Sequence, residues 1–317
     1  MADNEAKIET IRKILDTNVG NSDAFPKTVV QNIWDTAKKG SIIQTLAGAV
    51  PLSLNGDAIP IPVGQATAGV VAEGETKPVT TMATKVKTVT PIKVATMILY
   101  SMETAQADPL GEYSRIQGFL AEAIARSVDM AVIHGVDANT GTKITGKEAL
   151  RDTTKAIEID LAQEKAGYIG KQLTAGYDAV VLDVVDEHEF DFNHFLFAPK
   201  FRSSLVNALD GQGRPLYQAS TNLADQFTTV LGLPAAWHRS VSGYEKAKTG
   251  VEKLLGFGGD FKDNIRLGYV NQITYRRASE RAGGIDLFDR NLGAILAEAQ
   301  FGWVVRDTKA FVKYNSK

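Results

Sequence analysis

From Thr80 to Tyr100 the chain alternates with a two-residue period. Val86, Thr88, Thr90, Ile92, Val94 and Thr96 fall on one face, and Lys85, Lys87 and Lys93 on the other. This spacing predicts an unusually long β-strand. Ile59–Val63 and Ala68–Ala72, interrupted by Gly64, predict the strand that precedes it in a hairpin. A ribbon of two strands has no second layer of its own, and an isolated hairpin is marginal in water. The feature therefore requires a surface to lie on, in its own chain or in another copy.

A rigid rod is predicted next. Asp108 can cap a helix, Pro109 suits its first turn, and Gly135 suits a left-handed stop. Between them Ile116, Phe119, Leu120, Ala123, Ile124, Val128, Ala131 and Val132 keep helical spacing, while Glu112, Arg115, Glu122, Arg126 and Asp129 take the opposite face. Upstream, Ile8, Ile11, Ile14 and Leu15 mark one short amphipathic helix. Pro26 opens a second that runs to Gly40, with Val29, Val30, Ile33 and Ala37 inward. Downstream, Phe192–Phe197 predicts a buried strand, Pro199–Leu209 a helix, and Ile265–Val270, Ile273–Arg277, Phe301–Arg306 and Ala310–Tyr314 further strands.

Composition narrows the chemistry. With 44% hydrophobic residues in 317, the chain can bury a sizeable core. Lysine and arginine number 35 against 37 acids, so no global basic excess drives phosphate binding. There is no cysteine, which removes disulfides, thiolate metal sites and a cysteine nucleophile together. No apolar run reaches the roughly 20 residues of a membrane span, and Met1–Asp16 is too charged for a signal peptide. Synthesis in the cytoplasm and no membrane partner are expected. Gly211 and Gly213 lack the Lys-Ser/Thr of a phosphate loop. Asp183, Asp186, Glu187, His188, Glu189, Asp191 and His194 crowd together without a compact metal-ligand spacing, so they read as a solvated acidic segment. His134 and His238 read as capping or packing residues. No cofactor and no metal site are expected.

Three separated blocks carry a resemblance. They are Ile59–Gly135, with Ile-Pro-Ile-Pro-Val and Val-Val-Ala-Glu-Gly-Glu-Thr-Lys-Pro; Phe195–Tyr217, with Asp210-Gly-Gln-Gly-Arg-Pro-Leu; and Gly259–Tyr314. In this order they resemble the major capsid proteins of tailed double-stranded DNA bacteriophages. The likeness runs from Phe25 to Tyr314 apart from Leu161–His188. It implies an α+β Hong Kong 97-type capsid fold. Residues 1–50 would be an N-terminal arm and 51–104 an extended loop with its flanking peripheral strands, tipped near Glu73–Pro78. Residues 105–146 would be the peripheral domain's spine helix and connector, 147–285 an axial domain, and 286–317 return strands of the peripheral domain.

By the same resemblance the function is structural rather than enzymatic. Copies assemble as hexamers and pentamers into an icosahedral head that encloses double-stranded DNA without sequence-specific contact. A separate scaffolding protein is implied because no long charged segment precedes the arm, and a portal and a cement protein are further partners. The location is the virion, with host cytoplasm during assembly. The alternative is an encapsulin-like shell around a cargo enzyme.

Asn291-Leu-Gly-Ala-Ile-Leu-Ala-Glu298 resembles the family stretch in which an asparagine and a glutamate join a loop lysine in a self-catalysed isopeptide bond. The resemblance implies Asn291 as acceptor, Glu298 as base and Lys85 as nucleophile, with Lys87 as the alternative. A lysine of ordinary pKa, about 10.4, is protonated, so the site must desolvate it or supply a base.

Overall fold

The computed structural model describes residues 40–63, 68–79, 83–103, 112–161, 167–183, 190–208, 212, 214, 229–243 and 253–317. The two arm helices expected before Gly40, the Asp108-Pro109 helix start and most of the Asp210–Tyr217 turn lie outside them. In chain order the elements begin with helix α1 (Ile42–Ala47), strands β1 (Val50–Pro51), β2 (Asp57–Val63), β3 (Ala83–Val89) and β4 (Ile92–Ser101), and helix α2 (Glu112–His134). Then come β5 (Ala156–Ile159), α3 (Tyr168–Val181), β6 (His194–Phe197), α4 (Arg202–Val206), β7 (Thr229–Val230), β8 (Leu233–Trp237) and β9 (Leu254–Gly259). The last are α5 (Phe261–Asn264), β10 (Ile265–Ala278), β11 (Arg281–Ala282), β12 (Ile285–Asp286), β13 (Leu292–Val305) and β14 (Phe311–Ser316). The mixture of helix and sheet agrees with the expected α+β class.

The chain divides into two compact units. One draws on residues 92–126 and 271–300. Within it Leu120 and Ile124 of α2 pack on Ile295, Ala297 and Ala299 of β13, with Val94, Ile98 and Tyr100 of β4 at the margin. Alternate β13 residues therefore face the helix, and Leu296, Glu298 and Gln300, each half-buried, take the other side. Leu287, Leu292 and Ala294 form a second small core with Leu99, Ala282 and Ile285. Here β10 and β13 are neighbours in a four-stranded sheet ordered β1-β10-β13-β4.

The other unit comprises residues 42–91, 127–270 and 301–317. Its six-stranded sheet runs β5-β14-β9-β6-β8-β7. Phe192, Phe195, Phe197 and Tyr314 form a chain of ring contacts on one sheet face, and Tyr177 of α3 meets Phe192 at 5.3 Å. Helix α3 seats on this face through Gly176, where an added Cβ would lie 2.2 Å from the Tyr314 hydroxyl. The same unit holds the two-stranded ribbon β2–β3, paired from Asp57↔Val89 to Val63↔Ala83.

One expectation about the ribbon is corrected. The return strand is not continuous: it breaks at Thr90-Pro91 into β3 and β4, which join different sheets. Pro91 lacks an N–H and restricts the residue before it, so the ladder stops there. On β3 the lysine face is the one that carries a buried residue. Val86 is 62% exposed, whereas Val89, on the face of Lys85 and Lys87, is 1% exposed and packs with Leu52 and Val304. The lysine face tolerates this because its buried end finds polar partners.

Helix α2 ends as expected. Gly135 adopts φ +67° and its N–H bonds to Ala131 O at 2.9 Å, a left-handed stop. Its final two turns depart from the amphipathic pattern: Val128 through His134 are all buried, including Asp129 at 0% exposure.

Candidate assembly and anchoring sites

Of the lysines singled out from sequence, Lys87 is already engaged. Its Nζ donates to Glu148 Oε2 at 2.7 Å and to the Val305 carbonyl at 3.0 Å. Glu148 belongs to the connector after α2, and Trp303 Nε1 donates to its backbone oxygen at 2.9 Å. Beside it, Lys147 bonds the Thr90 carbonyl, and its Nζ lies 5.1 Å from the centre of the Trp303 ring. Partial burial pushes the Lys147 ammonium below its ordinary pKa. Together these contacts clamp the root of the β2–β3 ribbon. Lys85, two residues toward the tip and opposite Ile61, is exposed.

Glu298 and Asn291 are held apart. Asn291 precedes β13 in a left-handed conformation, φ 51°, with Nδ2 donating to Glu103 Oε1 at 3.2 Å and its carbonyl accepting from Met102 N at 2.9 Å. Glu298 lies six strand residues beyond Leu292, about 20 Å along β13 at the usual rise of about 3.3 Å. Its Oε1 is 2.6 Å from Lys93 Nζ on β4. That lysine's hydrogen bond and charge, with Arg276 also contributing, hold the Glu298 carboxyl below the usual carboxylate range. The structure thus places Lys93, not Lys85 or Lys87, against Glu298 in the same chain.

The residue that sequence reasoning assigned to solvent, Asp129, is the hub of a buried network. Its carboxylate accepts from the backbone N–H groups of Ile42 and Ile43, each at 3.3 Å, and from Ser240 Oγ at 3.1 Å. His238 Nδ1 accepts from Ser240 N at 3.3 Å, capping the 3-10 turn Arg239–Ser242, and sits 3.5 Å from Asp129 Oδ2. His134 Nε2 donates to the Ser240 carbonyl at 2.7 Å. Both histidines thus pack and cap, as expected.

A serine, a histidine and an aspartate meet here, yet the set is not laid out for nucleophilic catalysis. Ser240 and Asp129 face the same imidazole nitrogen instead of opposite ones, and Asp129 and Ser240 are both fully buried. The arrangement fixes the start of α1. No helical period could have signalled it, because the partners lie 87 and 111 residues away along the chain.

Asp186, Glu187, His188 and Glu189 of the acidic segment lie outside the described residues, among which no group of three or more potential metal ligands occurs. Asp183 pairs with Lys155 at 2.9 Å, and His194 meets Asn193 at 3.2 Å.

Comparisons with known proteins agree with one another. The phage capsid family profile matches residues 22–316. A probable major capsid protein, gp17, of Mycobacterium phage L5 is 28% identical over 294 residues, covering 89% of this chain and 86% of that protein. The gp17 protein of Mycobacterium phage D29, described in the same words, is 31% identical over 289 residues, covering 87% and 85%. A solved structure from Gordonia phage Cozz superposes with TM-score 0.75 at 29% identity, covering 88% of this chain and 87% of the other.

Proposed function

Because the chain belongs to the phage capsid family, we propose that it builds the icosahedral head of a tailed phage as hexamers and pentamers around double-stranded DNA. The observation that carries this reading is the β2–β3 ribbon. It forms a two-stranded sheet of its own, anchored at its root by Val89, Lys87 and Lys147, while Val86, Val70 and Val79 stand exposed. An apolar ribbon of this kind gains its packing partner when a neighbouring subunit lies beneath it. In this reading residues 51–104 are the extended loop, 105–146 the spine helix and connector, 147–285 the axial domain, 286–317 the return strands, and 1–50 the arm reaching other subunits. A separate scaffolding protein, a portal and a cement protein complete the particle. Assembly takes place in the host cytoplasm and the product is the virion. The named relatives are phage proteins, which favours this reading over a cargo compartment.

The chain is not a turnover enzyme in this account; its one reaction is with itself. Lys85 Nζ of one subunit attacks the Asn291 side-chain carbonyl of another, an amide forms, the C–Nδ2 bond breaks, and ammonia leaves. Glu298 takes the lysine proton. Since Asn291, just before β13, and Glu298 are about 23 Å apart along the chain, they come from different subunits. Lys85, the more exposed of the two, is the nucleophile in this reading and Lys87 the alternative. A boiled denaturing gel of purified particles, with bands digested for mass spectrometry, tests this directly. The expected result is a ladder containing a Lys85–Asn291 peptide that disappears in Glu298→Gln particles. Intact particles that yield only monomer would remove the cross-link and leave the shell standing.

A further inference from the structure

On the face of the six-stranded sheet turned away from α3, positive charge gathers in a half-open concavity of about 470 Å³. Residues alternate along β14: Tyr314 is buried on the α3 side, where its hydroxyl donates to the Leu173 carbonyl at 3.3 Å, so Lys313, Asn315 and Lys317 step along the other face. Two strand residues advance the chain by about 6.6 Å, and the three side chains form a row of hydrogen-bond donors at that interval. Lys253, just before β9, and Arg151, in the 3-10 turn Leu150–Asp152, line the same concavity.

The sheet itself holds these residues in place. Lys313 Nζ donates to the Arg151 carbonyl at 3.2 Å, the Lys317 N–H to the Ile159 carbonyl at 3.0 Å, and the Ser316 N–H to the Lys253 carbonyl at 2.6 Å. Four cationic residues share the lining with one acidic residue, Glu158 of β5, which the register sets opposite Asn315. In a chain of net charge −2 this is a local reversal of sign. Leu254 is the one apolar side chain in the lining and no aromatic ring is present, so the site offers neither a platform for stacking a base nor an apolar floor. A row of donors at regular spacing without an apolar anchor fits a linear anion whose charge repeats along its length. A peptide recognised in an extended form would need side-chain pockets as well.

We propose that Arg151, Lys253, Lys313 and Lys317 form a binding site for a run of linked phosphates, taken either from free oligophosphate or from the sugar-phosphate backbone of DNA. Lys313 and Lys317 meet phosphates along the row, Asn315 donates between them, and Arg151 and Lys253 add charge beside it. Glu158 stands against the ligand and weakens its hold. Contact is to phosphate oxygens alone, so binding is indifferent to base sequence and falls with salt as counterions are released. The site belongs to a single subunit and does not depend on the shell reading above.

The test is calorimetric titration of the full chain with sodium tripolyphosphate and, separately, with short oligothymidine, over a series of salt concentrations. Lys253→Gln with Lys317→Gln is expected to weaken binding about tenfold. For the oligonucleotide it is also expected to lower the slope of log K against log salt by about 1.4, two contacts at about 0.7 each. Glu158→Gln, a change at an exposed residue, is expected to tighten binding about threefold, a gain that a merely structural role would not produce. Circular dichroism checks that each variant folds. Tripolyphosphate bound as tightly as the oligonucleotide would assign the site to free oligophosphate, and binding of the oligonucleotide alone would assign it to the DNA backbone. Oligodeoxyadenosine is expected to match oligothymidine. Absence of binding by both probes would overturn the proposal, as would binding that the lysine pair and Glu158 variants leave unchanged. Binding by a chain that forms no particles would sink the shell reading and leave this site standing.

Discussion

Replacing Asp129 by alanine is expected to destabilise the folded chain by about 3–5 kcal/mol, the range for removing one partner from a buried charged network. The size follows from what is left behind. The Ile42 and Ile43 N–H groups and the Ser240 hydroxyl lose their acceptor in a site with no exposure at Asp129. Asp129→Asn keeps one acceptor oxygen but turns an amide donor toward other donors, so an intermediate loss is expected. Urea unfolding of the unassembled chain measures both, at fixed protein concentration because assembly adds its own stability. A loss below about 1 kcal/mol for alanine would mean that α1 is held by something other than this carboxylate.

The second large effect is a loss of stability in acid governed by His134. Its pKa is lowered from 6.5 to about 4, first by burial, with the Arg151 charge adding to the shift and the bond to Ser240 O opposing it. The neutral ring donates from Nε2, and Nδ1 has no hydrogen-bond partner, so protonation would bury a donor with nothing to accept it. Because the folded pKa lies below the unfolded one, the unfolded chain binds this proton first. Stability from this group is complete above pH 6.5, declines as pH falls toward 4, and changes no further below that. The total is of order 3 kcal/mol. His134→Gln retains an N–H for the Ser240 carbonyl but does not titrate. Its unfolding free energy between pH 6.5 and 4 is expected to fall less than that of the parent by about that amount. Parallel pH profiles for the two chains would show that His134 is not the acid-sensitive group.

What could be read from the sequence was local. Helical spacing from Ile116 to Val132 and the glycine at 135 predicted α2 and its stop, and the buried run at Phe192–Phe197 appeared as a strand, because each depends on residues within a few positions. The Thr90-Pro91 break was also legible in principle, since proline interrupts a ladder wherever it stands. Which face of β3 is buried was not. It depends on Glu148 and the Val305 carbonyl reaching Lys87 across 61 and 218 residues. Asp129 was assigned to solvent because a helix period reports which residues share a stripe, not whether a distant turn covers the opposite one. Glu298 kept its place on a strand, but its ion pair with Lys93 joins β13 to β4 and becomes visible only once the sheet order is known. The missed Asp260 had a signal: an aspartate just before a short helix, whose side chain accepts from Asp263 N at 3.1 Å.

These features share one logic. The ribbon is braced at its root by Val89, Lys87 and Lys147 and leaves Val86 exposed, and Asp129 ties the start of α1 to the 3-10 turn Arg239–Ser242. The exposed ribbon is expected to find its packing surface on a neighbouring copy, so stability is expected to be collective. Electron microscopy of the expressed chain, with the proposed scaffolding protein supplied, tests that claim most directly. The account predicts closed shells of hexamers and pentamers in which the β2–β3 ribbon lies across an adjacent subunit. A monodisperse, highly stable monomer under the same conditions, or shells in which the ribbon folds back on its own subunit, would contradict it.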